Sequence, residues 1–518
     1  MLYLAIIYHM HQPYYKNILT GEMSVPWVRL HGTKDYLDML LILKDYPEMR
    51  LTFNLTPCLV EQIEDYVSGS VQDRHLSLSY KPAEELNREE RQFILEHFFS
   101  IFLEYNIAIH PRYYQLYLKR QSQQEFTVQD LRDLQVWFNL AWTDSYFRQN
   151  NPQLKQLILK GRFFTEDDKE ACLDVQFDIL KQIIPAYKEY QSTGQIELIT
   201  NPYYHPILPL LFNSMIAKEA NPKAVLPKKV FNYPQDAESQ IREAIEFYEE
   251  RFHKKPLGMW PSEEAVSEHI LDLIIKAGVD WIVTDEAILY KSLRKRKRNT
   301  SYLYKPYQLK REEGAVNIVF RDRNLSDLIS FVYHKWKPKD AVDNFLNNLK
   351  NIEQHFEGED PLVVVALDGE NAWEYYRNDG WDFLSLLYER LSSSDFLRTT
   401  TVSDYLGNFP PEDNIIHLKP GSWVNGDFNK WIGSEPKNKA WECLIKAREE
   451  LGVVMKQASQ AKDRLTWKQL FIAEGSDWFW WYGDTQDKTF DELFRMHMSN
   501  LYQLLGKSIP KQLSSVIT

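Results

Sequence analysis

Two acidic motifs, far apart in the chain, hold the side chains best suited to chemistry. One is G-M-W-P-S-E at residues 258–263. The other is V-V-V-A-L-D-G-E-N-A-W-E at residues 363–374. Each puts a carboxylate, Glu263 or Asp368, just after a run that reads as the end of a buried strand. Two carboxylates delivered to one face of a barrel are the minimum equipment for cutting a glycosidic bond. Pro261 stops its strand, so Glu263 falls in a loop at the strand's carboxyl end. The competing reading makes Ser262 the N-cap of a helix and the two glutamates its acidic first turn. Asp368 ends an apolar run, where an unpaired carboxylate is costly unless it is used. Asp before Gly is also a common turn pair, and Gly369 permits a sharp turn here. Glu370 and Glu374 stand close by as partners for Asp368.

His9 and His11 follow the first apolar run in H-M-H-Q-P (9–13), and a spacing of two sets both on one side of an extended chain. We read them as hydrogen-bond partners for substrate hydroxyls. A zinc site is the alternative, and it would need a further ligand. A third strand carries Glu197 in G-Q-I-E, and His205 follows between prolines in N-P-Y-Y-H-P, which pre-organises the imidazole. The chain has no G-x-S-x-G elbow, no phosphate-binding G-x-x-x-x-G-K-[ST] and no G-x-G-x-x-G after a strand. Serine-hydrolase, phosphoryl-transfer and dinucleotide chemistry are therefore unsupported.

Positioning these groups calls for a parallel sheet. Apolar, β-branched runs occur at 2–8, 50–55, 195–200, 257–260, 281–285, 316–320 and 362–367. Amphipathic stretches at 90–105, 130–141, 171–190, 236–252 and 266–277 lie between them. Strands alternating with helices mean a parallel sheet covered on both faces; seven strands are near the number that closes a barrel, and an open doubly wound sheet is the alternative. The stretch from about 56 to 196 is too long for one crossover and must hold an inserted helical subdomain. After residue 399 the pattern changes: Pro410, Pro411, Pro420 and Gly421 mark loops, and helices are expected at 440–457, 467–473 and 490–505. We divide the chain into a barrel at 1–395, with the helical insertion at 60–190, and a C-terminal helical domain at 396–518.

A net charge of −12 disfavours nucleic acid and anionic membranes as partners. The one basic run, R-K-R-K-R at 294–298, reads as a solvated loop. Three scattered cysteines, Cys58, Cys172 and Cys443, offer neither a disulfide framework nor zinc spacing, which suits a reducing compartment. No signal peptide and no membrane-length apolar run is visible. The expectation is a cytoplasmic protein with no cofactor and no resident metal. Aromatic residues make up 14% of the chain, more than a core requires. Most of these belong to a large core, and any surplus suits platforms for the flat C–H faces of sugar rings.

Taken in order, H-M-H-Q-P, G-Q-I-E, G-M-W-P-S-E and A-L-D-G-E-N-A-W-E resemble glycoside hydrolase family 57 over residues 1 to about 385. P-G-S-W-V-N-G-D-F (420–428), E-G-S-D-W-F-W-W-Y-G (474–483) and F-R-D-R-N-L-S-D (320–327) are similar to its amylopullulanase and α-amylase branch. The resemblance implies a (β/α)7 barrel followed by helices, and a retaining mechanism on α-glucans. Glu263 would be the nucleophile and Asp368 the general acid/base. His11, Glu197 and Trp260 would line the subsite of the cleaved glucose. Trp423 and the tryptophans from Trp478 onward would extend the groove. Gln12, Glu370, Trp373 and Asp477, in the same motifs, complete the expected substrate contacts. A 4-α-glucanotransferase or branching enzyme would use the same two carboxylates. A metal-dependent hydrolase and a non-catalytic glucan-binding protein are the remaining alternatives.

Overall fold

Seven parallel strands carry the site, and their order in the chain is their order around the sheet. The computed structural model describes residues 1–294, 300–356, 358–370, 372–454, 460–483 and 487–517. Residues 295–298 of the basic run, Asn371 of the second acidic motif and the 455–457 end of an expected helix lie outside the described residues. The strands are β1 (Leu2–Met10), β2 (Leu51–Leu55), β3 (Ile196–Ile199), β4 (Gly258–Met259), β5 (Trp281–Asp285), β6 (Gly314–Arg321) and β7 (Leu362–Asp368). They match the seven apolar runs. β1 pairs with β2 and β7, β2 with β3, β4 with β5, and β5 with β6. β6 meets β7 at the single pair Arg321–Val364. A parallel bridge between Thr200 and Met259 joins the ends of β3 and β4. The whole is a nearly closed (β/α)7 barrel.

Ala5, Ile7, Ile199, Val283, Val319, Val364 and Ala366 fill the barrel and touch Trp281 and Trp260. β4 runs close to Trp281: a Cβ on Gly258 would lie 2.3 Å from that indole, so only glycine fits. Outside, the opposite faces of the strands join a second and larger core with the helices. Near-continuous apolar strands are what this double covering requires.

Between β2 and β3 the chain forms eight α-helices, from Pro57–Ser68 to Glu166–Thr193. The last opens with a capping box: Thr165 Oγ1 accepts from Asp168 N at 3.1 Å while Asp168 returns to Thr165 N at 2.7 Å. The expected helix at 90–105 is shorter, ending at His97. Beyond β7, Leu397–Thr399 pairs with β1, and Asp413–Asn414 extends the sheet through the strand Tyr307–Arg311. Sheet pairing thus continues past residue 395. Helices Glu435–Val454, Gln460–Ala473, Ser476–Trp481 and Lys488–Leu504 follow. Among the described residues no helix is long and apolar enough to cross a membrane.

The expected helix at 266–277 forms only in its second half, Leu271–Lys276. The reason is a competing backbone partner. Val266 N donates to Gly421 O at 2.9 Å and Gly421 N donates back to Val266 O at 3.1 Å. That extended pairing brings the 421–423 loop against the loop of Glu263.

Candidate active site

Register sets the first row of the site. His9 on β1 stands beside Asp368 on β7 and beside Asn54 on β2, all at the carboxyl ends of their strands. The His9 ring lies 7° from parallel over buried Trp260, centroids 4.7 Å apart. His9 Nδ1 is 2.5 Å from Asn54 Oδ1, and Asn54 Nδ2 donates to Ile199 O. The Asn54 oxygen therefore accepts, and His9 carries its proton on Nδ1 with a lone pair on Nε2. Burial, aided by His11, pulls its pKa down to about 3, so the ring is neutral. Gly369 is needed here for space: its Cβ would lie 2.2 Å from the Met10 sulfur.

Glu263 arrives by a strained turn and does not open a helix. Glu263 (φ 60°) and Glu264 (φ 52°) are both left-handed, at a cost of about 1–2 kcal/mol each. The turn sends the Glu263 side chain into the cavity, where Trp423 Nε1–H donates to its Oε2 at 2.7 Å. Trp423 N also donates to Glu263 O at 3.2 Å. Burial raises the Glu263 pKa to about 8; the Trp423 bond opposes this, and the charges of Asp368 and Asp477 add to it. Glu264 points away, fully buried behind the site.

His205 is also left-handed (φ 57°), turned by a bond from its N–H to Pro202 O. Its Nδ1 lies 2.9 Å from Ser476 Oγ, and burial holds its pKa well below the usual histidine range. His205 Nε2 has no hydrogen-bond partner among the described residues. The His11 ring stacks on His205 at 3.8 Å, and His11 Nε2 is 2.8 Å from Asp477 Oδ1. Glu370, which burial pushes well above the usual carboxylate range, accepts from His11 N at 2.9 Å, Tyr36 OH at 3.0 Å and Gln12 Nε2 at 3.4 Å.

Nine of the thirteen expected residues line one cavity of about 560 Å³: His9, His11, Gln12, His205, Glu263, Asp368, Glu370, Trp423 and Asp477. Trp260 supports the His9 ring from behind and is fully buried. Three expectations are corrected. Glu197 sits in mid-strand, level with Thr52 and two residues short of the site row. It bonds Ser403 Oγ and N and Trp281 Nε1 at the far end of the barrel. Trp373 packs under the β7 loop, its Nε1–H donating to Gly369 O at 2.7 Å. Trp478 is core of the C-terminal helices, donating to Ile472 O at 2.8 Å. Its neighbours Trp480 and Trp481, two and three residues further along the helix, face the cavity instead.

Trp27 and His31, from the helix Trp27–Lys34, and Trp142, after the helix Val128–Ala141, also line the cavity, and none of the three is a sequence expectation. A tryptophan at the end of a helix reads as core in sequence, so no signal marks Trp27 or Trp142. Carboxylates, imidazoles and indoles line the cavity, a surface suited to a neutral polyhydroxylated ligand.

Among the described residues, His11, His205 and Asp477 bring three ligand-type atoms within 4.8 Å of one another. The two imidazoles are stacked 19° from parallel, and His11 Nε2 and Asp477 Oδ1 already hold each other at 2.8 Å.

The sequence profile of glycosyl hydrolase family 57 matches residues 5–418. This chain belongs to glycosyl hydrolase family 57. An α-amylase of Pyrococcus abyssi is 22% identical over 302 residues, covering 57% of this chain and 38% of the relative. The chain thus matches little more than a third of that relative's length. Among solved structures, a family 57 branching enzyme from Pyrococcus horikoshii superposes with a TM-score of 0.61 at 18% identity, over 97% of this chain and 88% of that one. An α-amylase from Thermotoga maritima gives 0.58 at 16% identity, over 99% and 93%. These structural likenesses establish the fold that the family 57 chain adopts.

Proposed function

We propose that the protein is a retaining enzyme acting on α-glucans, with Glu263 as nucleophile and Asp368 as general acid/base. The observation that carries the reading is that these two carboxylates share one cavity and feel each other's charge. Asp368 in its protonated form gives its proton to the leaving glycosidic oxygen. Glu263, ionised, attacks the anomeric carbon and forms a glycosyl ester. Asp368, now ionised, takes a proton from the incoming hydroxyl, which cleaves the ester. The mutual repulsion favours this division of labour, because a proton on Asp368 removes the charge that disfavours an ionised Glu263. Trp423 favours the same arrangement by donating to the ionised form. His9 Nε2 and His205 Nε2 offer neutral contacts to hydroxyls of the bound sugar, and the indoles of the cavity offer faces to neighbouring sugars.

Water as the incoming hydroxyl makes the enzyme a hydrolase of the α-amylase or amylopullulanase type, our first reading. A sugar hydroxyl makes it a transferase. The second reading is favoured by the indoles lining the cavity, which would hold an acceptor chain and displace water. The three cysteines, all free and buried, support work in the cytoplasm. We take residues 1–395 as the catalytic barrel and 396–518 as the part that completes the cleft.

Incubation with maltoheptaose tests both readings. Shorter products alone mean hydrolysis, and longer ones mean transfer. Proton NMR of the first product reads the stereochemistry, and an inverted anomer would remove Glu263 as nucleophile. Glu263→Gln and Asp368→Asn should each lower turnover by about 10³-fold or more, and full activity in either variant would refute the role given to it.

A further inference from the structure

Arg321 ends β6 beside the site. It stands opposite Asp285 in the sheet register and is only 6% exposed. Its guanidinium carbon lies 5.1 Å from the ring centroid of Trp423, over the face of the indole. That indole is the one whose N–H donates to Glu263. Its orientation is fixed twice more, by the backbone bond from Trp423 N to Glu263 O and by Trp260, which meets it edge to face at 5.4 Å and 84°. We propose that Arg321 is a positioning residue for the nucleophile: its charge over the indole strengthens the N–H donated to Glu263 and favours the ionised form of that carboxylate.

The physical chain has two links. A cation on the face of an indole draws on the π-electrons and is held there by the ring quadrupole. Depleting the ring makes its N–H a better donor, and a donor to a carboxylate favours the ionised form. The charge is free to act this way because its own partners are mostly engaged elsewhere. Asp285 is taken by Arg323, whose Nε lies 3.1 Å from Asp285 Oδ2, and it also caps Ala287 N. Arg321 Nη1 reaches Asp285 only at 3.5 Å. Its close partner is Asp327, at 2.7 Å from Nη2 and half exposed. Arg321 Nε has no hydrogen-bond partner among the described residues.

The need for such help follows from what surrounds Glu263. Asp368 on β7 and Asp477 from the C-terminal helices both oppose its ionisation, as does burial. On the favourable side are Lys430 and the Trp423 bond, of which the bond is the larger. Lys430 is held over Trp480 at 4.3 Å. Glu264, next in the chain, is buried and faces Arg321, Arg323, Asp285 and Asp327. Arg321 reaches Glu263 only through the Trp423 indole that it covers.

The inference rests on Glu263 being the nucleophile, and the test separates the two. Protein labelled with ¹⁵N-tryptophan is titrated with pH, and the Trp423 indole signal is assigned by its loss in Trp423→Phe. In the wild type the signal should titrate with Glu263, and the titration should vanish in Glu263→Gln. In Arg321→Gln the midpoint should rise by about half a pH unit or more, and the acid limb of kcat/KM should follow, a roughly threefold loss on that side. Asp327→Asn, a change at a half-exposed site, removes the counter-charge and should lower the midpoint. In a Trp423→Phe background the Arg321→Gln effect on the acid limb should shrink markedly. Two variants with the wild-type midpoint, or two that shift it the same way, would overturn the role of Arg321. A fully active Glu263→Gln would overturn the nucleophile reading instead. A merely structural Arg321 would change melting temperature and leave the indole titration in place.

Discussion

His11 Nε2 lies 2.8 Å from Asp477 Oδ1, joining the end of the first barrel strand to a helix 466 residues later. The same C-terminal stretch gives Ser476 to His205 and the indoles Trp480 and Trp481 to the cavity wall. Barrel and C-terminal helices therefore build one site between them.

Asp477→Ala should accordingly damage catalysis more than folding. It leaves the His11 imidazole without its orienting carboxylate, a charge-assisted bond whose loss corresponds to about 10–100-fold in kcat/KM. Asp477→Asn keeps a hydrogen bond and removes a charge that raises the Glu263 pKa. The acid limb of kcat/KM should then move to lower pH. A pH–rate profile of both variants, beside their melting temperatures, checks the two claims.

The raised pKa of Glu263 also makes a stability prediction. The folded value is about 8, above the ordinary 4.5. The folded state binds this proton more tightly than the unfolded chain does. The associated stability is complete below about pH 4.5 and is lost as pH rises through 8. Above that pH a buried, repelled carboxylate must be ionised. Glu263→Gln should therefore match the wild type near pH 4.5 and exceed it near pH 9 by about 1–3 kcal/mol. Thermal melts at the two pH values read this directly, and a variant no more stable at pH 9 would contradict it.

How far the chain could be read depended on range. β1 and β7 were legible because buried parallel strands need unbroken apolar runs, and the acids at their ends stand out against them. Glu263 was legible as a loop residue, but its left-handed turn was not. That turn is imposed by Gly421 and Trp423, which are some 160 residues away and take Val266 out of its helix. Glu197 misled because a carboxylate near a strand end reads the same whether it faces the open end of the barrel or the closed one. Only the register with Thr52 decides, and register is a property of two strands. Trp478 and Trp480 differ by two positions in a helix, about 200° of rotation, and nothing local says which faces the substrate. Trp27 reaches the cavity from the helix between β1 and β2 and Trp142 from the inserted helices, placements that only the tertiary fold sets.

Glu197 gives the cleanest test of that correction. Its carboxylate accepts from Ser403 N and Oγ and from Trp281 Nε1 beneath the barrel core. Glutamine can accept at one oxygen, but its NH₂ would face a donor. Glu197→Gln should cost about 1–3 kcal/mol of stability, seen in denaturant melts, and leave kcat within about twofold because the residue lies far from the substrate. A large loss of turnover in a well-folded variant would return Glu197 to the site.

Metal dependence is the remaining discriminating measurement. The His11, His205 and Asp477 atoms are close enough to tempt a divalent ion. Yet His11 Nε2 is already committed to Asp477, and His205 Nδ1 to Ser476. Both bonds set the rings, stacked 3.8 Å apart, for hydroxyl contacts. In the two-carboxylate mechanism no step requires a Lewis acid. Dialysis against EDTA should then leave kcat unchanged, and added zinc should inhibit competitively with substrate by occupying the sugar's place among these three side chains. Loss of activity on chelation, restored by zinc, would instead assign the chemistry to a metal-activated water and remove Glu263 from the nucleophile's role.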